Sequence, residues 1–130
     1  MSKKVLVVDD EQDIRVFMTT LLETSGYKPV SAQNGEEGLK IAQNLKPALI
    51  IMDVMMPKES GIYMYREVKK DPELRNIPVI MVSALSKKTF FHSQNIVDQY
   101  EGIKIPEPAA YIEKPPEAEE LLAAIRKILP

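Results

Sequence analysis

Two stretches of this chain place carboxylates where an apolar run stops. "VLVVDD" ends on Asp9 and Asp10, and "IIMDVMMP" sets Asp53 between an apolar run and a pair of methionines. No Lys or Arg lies within four residues of Asp53, so nothing local offsets its charge, and burying an unpaired carboxylate is expensive. Two further runs carry different chemistry: "IPVIMVSA" brings Ser83 and "AAYIEK" ends on Lys114. Three carboxylates within a few ångström do not all stay ionised without a counter-charge. A hard divalent cation supplies one, and Mg²⁺ is usually held by one or two carboxylates, waters and a substrate phosphate. A carboxylate of ordinary pKa is ionised at neutral pH and can attack a phosphoryl group, giving an aspartyl phosphate. A metal, an ammonium and a hydroxyl then stabilise the transferring oxygens, so positioning and electrostatics do most of the catalysis.

Each residue also has a plainer role open to it. Asp9 and Asp10 would serve as caps of a following helix, Asp53 as a strand-end loop residue, Ser83 as another cap and Lys114 as a solvated lysine. What weighs against four independent accidents is the set of elements that must carry them. "VLVV" (5–8) and "ALIIM" (48–52) are short apolar runs of the buried-strand type, and "IPVIMVSA" (77–84) is a third. "YKPVSA" reads as a weaker strand whose Pro29 belongs at a sheet edge, and "AAYIEK" (109–114) as a last short one.

Helical patterns separate these strands. Ile14, Phe17, Met18, Leu21 and Leu22 share one face, with Gly26 as a stop. Asn34-Gly35 reads as a turn before the helix "EEGLKIAQNL", which ends before Pro47. A helix from about Gly61 to Lys70 turns Ile62, Tyr65 and Val68 inward. "PEAEELLAAIRKIL" closes the chain as a helix, with Pro at its start, acids in its first turn and Arg126 and Lys127 in its last.

Five βα repeats imply an α/β fold, a doubly wound parallel sheet with helices on both faces and right-handed crossovers. With no linker or repeat in the sequence, the chain reads as one domain over residues 1–130. In such sheets ligands bind beyond the carboxyl ends of the strands, near the point where strand order switches. The first and third strands are expected to adjoin there, with the second at the edge and the fourth and fifth beyond the third. Asp9, Asp10, Asp53, Ser83 and Lys114 would then meet at one rim.

These residues resemble a known family. "VLVVDDEQDIR", "IIMDVMMPKESG", "VIMVSA" and "YIEKPP" are similar to the receiver domain of two-component response regulators, of the chemotaxis-regulator kind, over essentially the whole chain. The resemblance implies a flavodoxin-like (βα)5 fold with strand order 2-1-3-4-5. It makes Asp53 the phospho-acceptor, served by a sensor histidine kinase, a phosphotransfer protein of a phosphorelay or a small phosphodonor. Asp9 and Asp10 match the acidic pocket. Asp10, Asp53 and the backbone carbonyl of Met55 match the Mg²⁺ ligands, with Asp9 acting mostly through water. Lys114 matches the lysine on the phosphoryl group, Ser83 the switch hydroxyl and Tyr111 the aromatic that turns inward with it. The Lys114–Pro115 bond matches a position that is cis in the family.

A protein of this kind is a signalling switch that catalyses only its own phosphorylation and dephosphorylation. Its output would be contact with a downstream protein, or with a second copy, through the fourth helix, fifth strand and fifth helix. Met55 and Met56 would form an apolar wall beside the site, and with Met55 and Leu85 beside the phosphoryl group the phosphate would be long-lived.

The composition of the 130 residues narrows the alternatives. A net charge of −2 with mixed signs leaves no footprint for direct nucleic-acid binding. The absence of cysteine excludes disulfides, thiolate catalysis and Cys-ligated metal. The basic start and "VLVV" imitate a signal peptide, but the apolar run stops at Asp9, and no run reaches membrane-span length. A cytoplasmic location is therefore expected. A phosphatase of the haloacid dehalogenase type would want D-x-D after the first strand, and a flavodoxin-like nucleotide binder would not present "DDEQD" to phosphate. A receiver-like module that binds partners without phosphorylation is the remaining rival. A stand-alone regulator is the direct reading, with a receiver cut from a longer regulator as the alternative.

His92 is expected at the surface, and the seven methionines mostly in the core. One region departs from the family. Ser83 and Lys114 are 31 positions apart, more than one helix and one strand need, and the excess falls in "DQYEGIKIPEPAA". Pro106 and Pro108 there disfavour helix, while Phe90, Phe91, Ile96, Val97 and Tyr100 would make the preceding helix amphipathic. The extra residues form either a longer surface loop or an altered output surface.

Overall fold

The computed structural model describes residues 2–130; Met1 and the side chain of Glu59 lie outside the description. Strands and helices alternate as β1 (Lys4–Val8), α1 (Gln12–Thr24), β2 (Lys28–Ala32), α2 (Gly35–Leu45), β3 (Leu49–Met52), α3 (Ser60–Lys70), β4 (Val79–Ser83), α4 (Lys87–Glu101), β5 (Ala110–Glu113) and α5 (Ala118–Ile128). A 3₁₀ turn at Pro57–Glu59 leads into α3. All strand pairs are parallel, in the order β2-β1-β3-β4-β5. The order is the expected one, with β2 and its Pro29 at an edge.

Both faces of the sheet are covered, and for that reason its three central strands, β1, β3 and β4, are almost wholly apolar rather than alternating with polar residues. Leu6, Val8, Ile50, Met52, Val79 and Met81 face a core completed by Met64, Tyr65 and Val68 of α3 and Phe90 of α4. The alternate residues Val5, Val7, Leu49, Ile51, Ile80 and Val82 face a second core with Met18 and Leu22 of α1 and Leu121 and Ile125 of α5. The period of two along each strand produces this division. Burial of such side chains stabilises by about 1.5–3 kcal/mol each, far more than the few tenths at stake in local propensity. Met18, Met52, Met56, Met64 and Met81 are all buried, as core filler should be.

Several expectations need local correction. Asn34-Gly35 is not a separate turn: Asn34 caps α2, its side chain accepting from the Glu37 N–H at 2.8 Å, and Gly35 is the first helical residue. Pro116 stands before the Glu117 cap of α5 rather than in its first turn. Met56 belongs to the core, not to a wall around the site. On α4, Phe90 is buried but Ile96 and Tyr100 face solvent, so only part of that apolar set forms the inner face. Gly26 does follow α1, with φ of 90°, a left-handed stop that glycine adopts without strain. His92 is exposed, and the Lys114–Pro115 bond is cis.

Candidate functional site at the carboxyl ends of the strands

Strand register brings the chemistry together. Val8 of β1 pairs with Met52 of β3, so Asp9 and Asp53 each emerge one residue later, side by side. The Asp53 N–H donates to the Val8 carbonyl at 3.1 Å, extending the ladder to the acceptor itself. On the other side, Ser83 pairs with Glu113, and the Lys114 N–H donates to the Ser83 carbonyl at 2.8 Å. Residues far apart in sequence are thus fixed at one rim by backbone hydrogen bonds rather than by flexible loops.

Lys114 closes the rim. Its Nζ lies 2.8 Å from Asp53 Oδ2, 2.7 Å from Glu11 Oε1 and 3.0 Å from Asp9 Oδ2. The Asp9 contact lacks hydrogen-bond angles, and Asp9 Oδ2 is a buried acceptor without a hydrogen-bond partner. Burial opposes the Lys114 charge, but the contacts with Asp53, Glu11 and Asp9 outweigh it and raise its pKa above the ordinary lysine value. Burial also raises the pKa of Asp9, against the Glu11 N–H and Lys114, which favour its anion. The Glu11 N–H donates to Asp9 Oδ1 at 2.9 Å, and Arg15 Nη1 donates to the Asp9 carbonyl at 2.7 Å. Neither Asp9 nor Asp10 caps α1; Glu11 holds that position without a side-chain cap bond.

Asp53 is almost wholly buried, and the Met55 N–H donates to its Oδ1 at 2.8 Å. That bond turns the backbone at 53–55 tightly over the acceptor. Gly61 permits the close passage of α3 beneath it: a Cβ there would lie 2.7 Å from Val54 Cα. Met55 is exposed, while Leu85 is half-buried. Asp9, Asp10, Glu11 and Asp53 each offer a carboxylate oxygen, all within 4.8 Å of one another. Hard oxygen donors at this spacing, with buried Asp9 Oδ2 held only by its ion pair with Lys114, fit a hard divalent cation such as Mg²⁺.

Ser83 is the fully buried last residue of β4, not a helix cap. Its Oγ accepts from the Leu85 N–H at 3.2 Å, and the cap of α4 is Ser86. Tyr111 is half-buried on β5; its hydroxyl donates to the Leu85 carbonyl at 2.6 Å and its ring lies 5.4 Å from that of Phe90. Ser83, Leu85 and Tyr111 are therefore one connected group beside Asp53 and Lys114.

Two features escaped the sequence reading. Glu11 was visible only as a third acid in "DDE", and its reach to Lys114 depends on how α1 leaves the rim. Arg66 on α3 is buried, with Nη1 donating to Gln94 Oε1 at 3.0 Å and to Asp98 Oδ1 at 2.8 Å, while Nη2 pairs with Glu101. Asp98 and Glu101, three apart on α4, were the available signal, but nothing local tied them to α3.

A doubly wound sheet whose switch-point rim carries clustered acids, a lysine and a buried hydroxyl defines a narrow class of domain. Residues 5–126 match the family model described as the response regulator receiver domain, and the chain belongs to that family. The chain is 34% identical over 129 residues to the polar-differentiation response regulator DivK of Brucella anthropi, covering 99% of this chain and 98% of DivK. It is 38% identical over 127 residues to the probable transcriptional regulator ycf27 of Porphyra purpurea, covering 98% of this chain but 47% of that protein. The chain thus spans about half the length of ycf27. The solved chemotaxis response regulator CheY4 of Vibrio cholerae superposes with a TM-score of 0.82 at 26% identity, over 98% of this chain and 99% of the other. Among the described residues, no helix is long and apolar enough to cross a membrane.

Proposed function

We propose that this receiver domain is a phosphorylation-activated switch whose acceptor is Asp53. The observation that carries the reading is the Asp53 carboxylate, buried at a strand end, held by the Met55 N–H and touching Lys114. A carboxylate so fixed needs little reorganisation to attack an in-line phosphoryl group. An Asp53 oxygen forms the new bond to phosphorus as the bond to the donor's imidazole nitrogen, or to the acyl oxygen of acetyl phosphate, breaks. The leaving group departs with that electron pair. Lys114 already contacts the acceptor and would follow the phosphoryl oxygens.

Asp10, Asp53 and the Met55 carbonyl would hold Mg²⁺, with Asp9 through water; the bound ion supplies charge neutralisation between carboxylates and phosphoryl oxygens. Glu11, missed in the sequence, competes for Lys114 and would be released as the lysine moves to the phosphoryl group. The phosphoryl group adds charge and acceptor oxygens that would draw Ser83 toward Asp53. Because Ser83, Leu85 and Tyr111 are bonded in series, such a shift reaches β5 and α4 and biases two conformations of that face.

A sensor histidine kinase or phosphotransfer protein is the proposed donor. A downstream protein or a second copy is the proposed reader, on the face of α4, β5 and α5, where the rings of Phe91 and Tyr111 meet. Residues 1–130 act as one domain in this account, in the cytoplasm. Incubation with Mg²⁺ and acetyl phosphate, followed by intact mass, tests it. A gain of one phosphoryl group that disappears in Asp53→Asn is expected; no gain from any donor favours a module that works without phosphorylation.

A further inference from the structure

The chain has no cysteine, so methionine supplies all of its sulfur. Met18, Met52, Met56, Met64 and Met81 are buried in the two cores. Met55 belongs to neither core and is 54% exposed, whereas Met56, the next residue, turns inward and is 6% exposed. Among the described residues, the one well-exposed thioether therefore lies two positions after Asp53. Its place there is fixed rather than loosely tethered, because the Met55 N–H donates to Asp53 Oδ1 at 2.8 Å.

Exposure decides which methionine meets a dissolved oxidant first, and oxidation converts an apolar thioether to a polar sulfoxide. With no thiol in the chain to intercept the oxidant, that chemistry is directed to the rim that holds the acceptor. Burial protects the other five methionines, whose oxidation would place polar oxygens in the cores at a cost in stability.

We propose that Met55 is a redox-modification site, where a hydroperoxide oxidises the thioether to the sulfoxide and thereby shortens the life of a phosphoryl group on Asp53. The sulfur lone pair takes the distal peroxide oxygen as the O–O bond breaks. The proton on that oxygen passes to the leaving oxygen, which departs as water or an alcohol; sulfur is oxidised and the peroxide reduced. The apolar side chain that borders the acceptor offers water nothing to bond. The sulfoxide oxygen accepts from a water molecule and holds it beside the phosphoryl group. That water's oxygen bonds to phosphorus as the bond from phosphorus to Asp53 breaks, returning the carboxylate and inorganic phosphate and releasing a proton. The effect on lifetime rests on the proposed function; the oxidation site does not.

The test treats the full, folded chain with dilute hydrogen peroxide and maps the added oxygen by peptide mass. Met55 is expected to gain oxygen well ahead of Met18, Met52, Met56, Met64 and Met81. Equal rates at Met55 and any of those five overturn the site. A half-oxidised sample is then phosphorylated with Mg²⁺ and acetyl phosphate, freed of donor, and followed by intact mass, which separates the two forms in one tube. The oxidised form should lose its phosphoryl group about fivefold faster, the factor that one hydrogen bond to the attacking water supplies. Methionine sulfoxide reductases of both epimer specificities, with dithiothreitol, should restore the slower decay. Peroxide should leave the decay of Met55→Leu where it stands in the untreated variant. Equal decay of the two forms, or the same acceleration by peroxide in Met55→Leu, overturns the effect on lifetime. Selective oxidation of Met55 without any phosphorylation, before or after peroxide, removes the proposed function while leaving the oxidation site intact.

Discussion

Replacing Lys114 by methionine removes the ammonium that touches three carboxylates while keeping an apolar stem of similar length. The contact with Glu11 counts for little, because that side chain is 59% exposed and such pairs are worth under about 1 kcal/mol. Asp9 and Asp53 are another matter, with side chains 0% and 2% exposed. Removing one partner of a buried pair costs about 3–5 kcal/mol, since a buried charge is left behind. Against a total stability of about 5–15 kcal/mol the variant still folds. At about 4 °C per kcal/mol for a domain of this size, its Tm falls by roughly 12–20 °C at pH 7 without Mg²⁺.

Two dependences identify the cause. The orphaned carboxylates shift toward protonation, so the deficit shrinks on acidification. A divalent cation replaces the missing charge, so millimolar Mg²⁺ recovers part of the loss. Thermal unfolding by circular dichroism at pH 7 and at about pH 5, with EDTA and with Mg²⁺, measures all three. A deficit below about 1 kcal/mol, the range of a surface pair, or one indifferent to Mg²⁺ and pH would refute the reasoning.

Other expectations follow from the same geometry. Gly61→Ala forces a Cβ against Val54 and is expected to lose about 1–3 kcal/mol in urea unfolding and to slow phosphorylation by displacing Asp53. Arg66→Met leaves Asp98 and Gln94 without their partner; a loss of about 3 kcal/mol is expected, with faster amide exchange in α4. Met55→Asn places a polar side chain beside the acceptor. It should shorten the lifetime of the phosphorylated protein about tenfold, equivalent to about 1.4 kcal/mol of barrier, as read from the decay of intact mass. The raised pKa of Asp9 has a definite sign. Below the ordinary aspartate value both states hold the proton; above it the unfolded chain loses its proton first, so stability falls as pH rises through the native value. Asp9→Asn should flatten that slope in Mg²⁺-free urea titrations.

What the sequence made legible was what local pattern controls. "VLVV", "ALIIM" and "VIMVS" are buried on both faces, so composition alone identified them, and Pro29 gave the edge. The switch-point rule then placed Asp9, Asp53, Ser83 and Lys114 at one rim, and the register does bring them together. Glu11 was not legible, because its meeting with Lys114 spans 103 positions and an exposed acid in a run of acids carries no signal. The Arg66 cluster was hidden likewise, since Arg66 on a helix with two nearby lysines reads as surface. In "DQYEGIKIPEPAA" the two prolines do lie outside helix, but the first four residues close α4, and the docking through Ile105 and the Pro106 carbonyl is tertiary packing that no local period encodes.

The central claim is that Asp53, and not its acidic neighbours, carries the phosphoryl group. Borohydride reduction of the phosphorylated protein converts an aspartyl phosphate to homoserine, which peptide mapping locates. Homoserine at position 53 alone, dependent on Mg²⁺ and on prior phosphorylation, is the predicted result. Homoserine at position 9 or 10, or none anywhere after a mass gain of one phosphoryl group, would contradict the account.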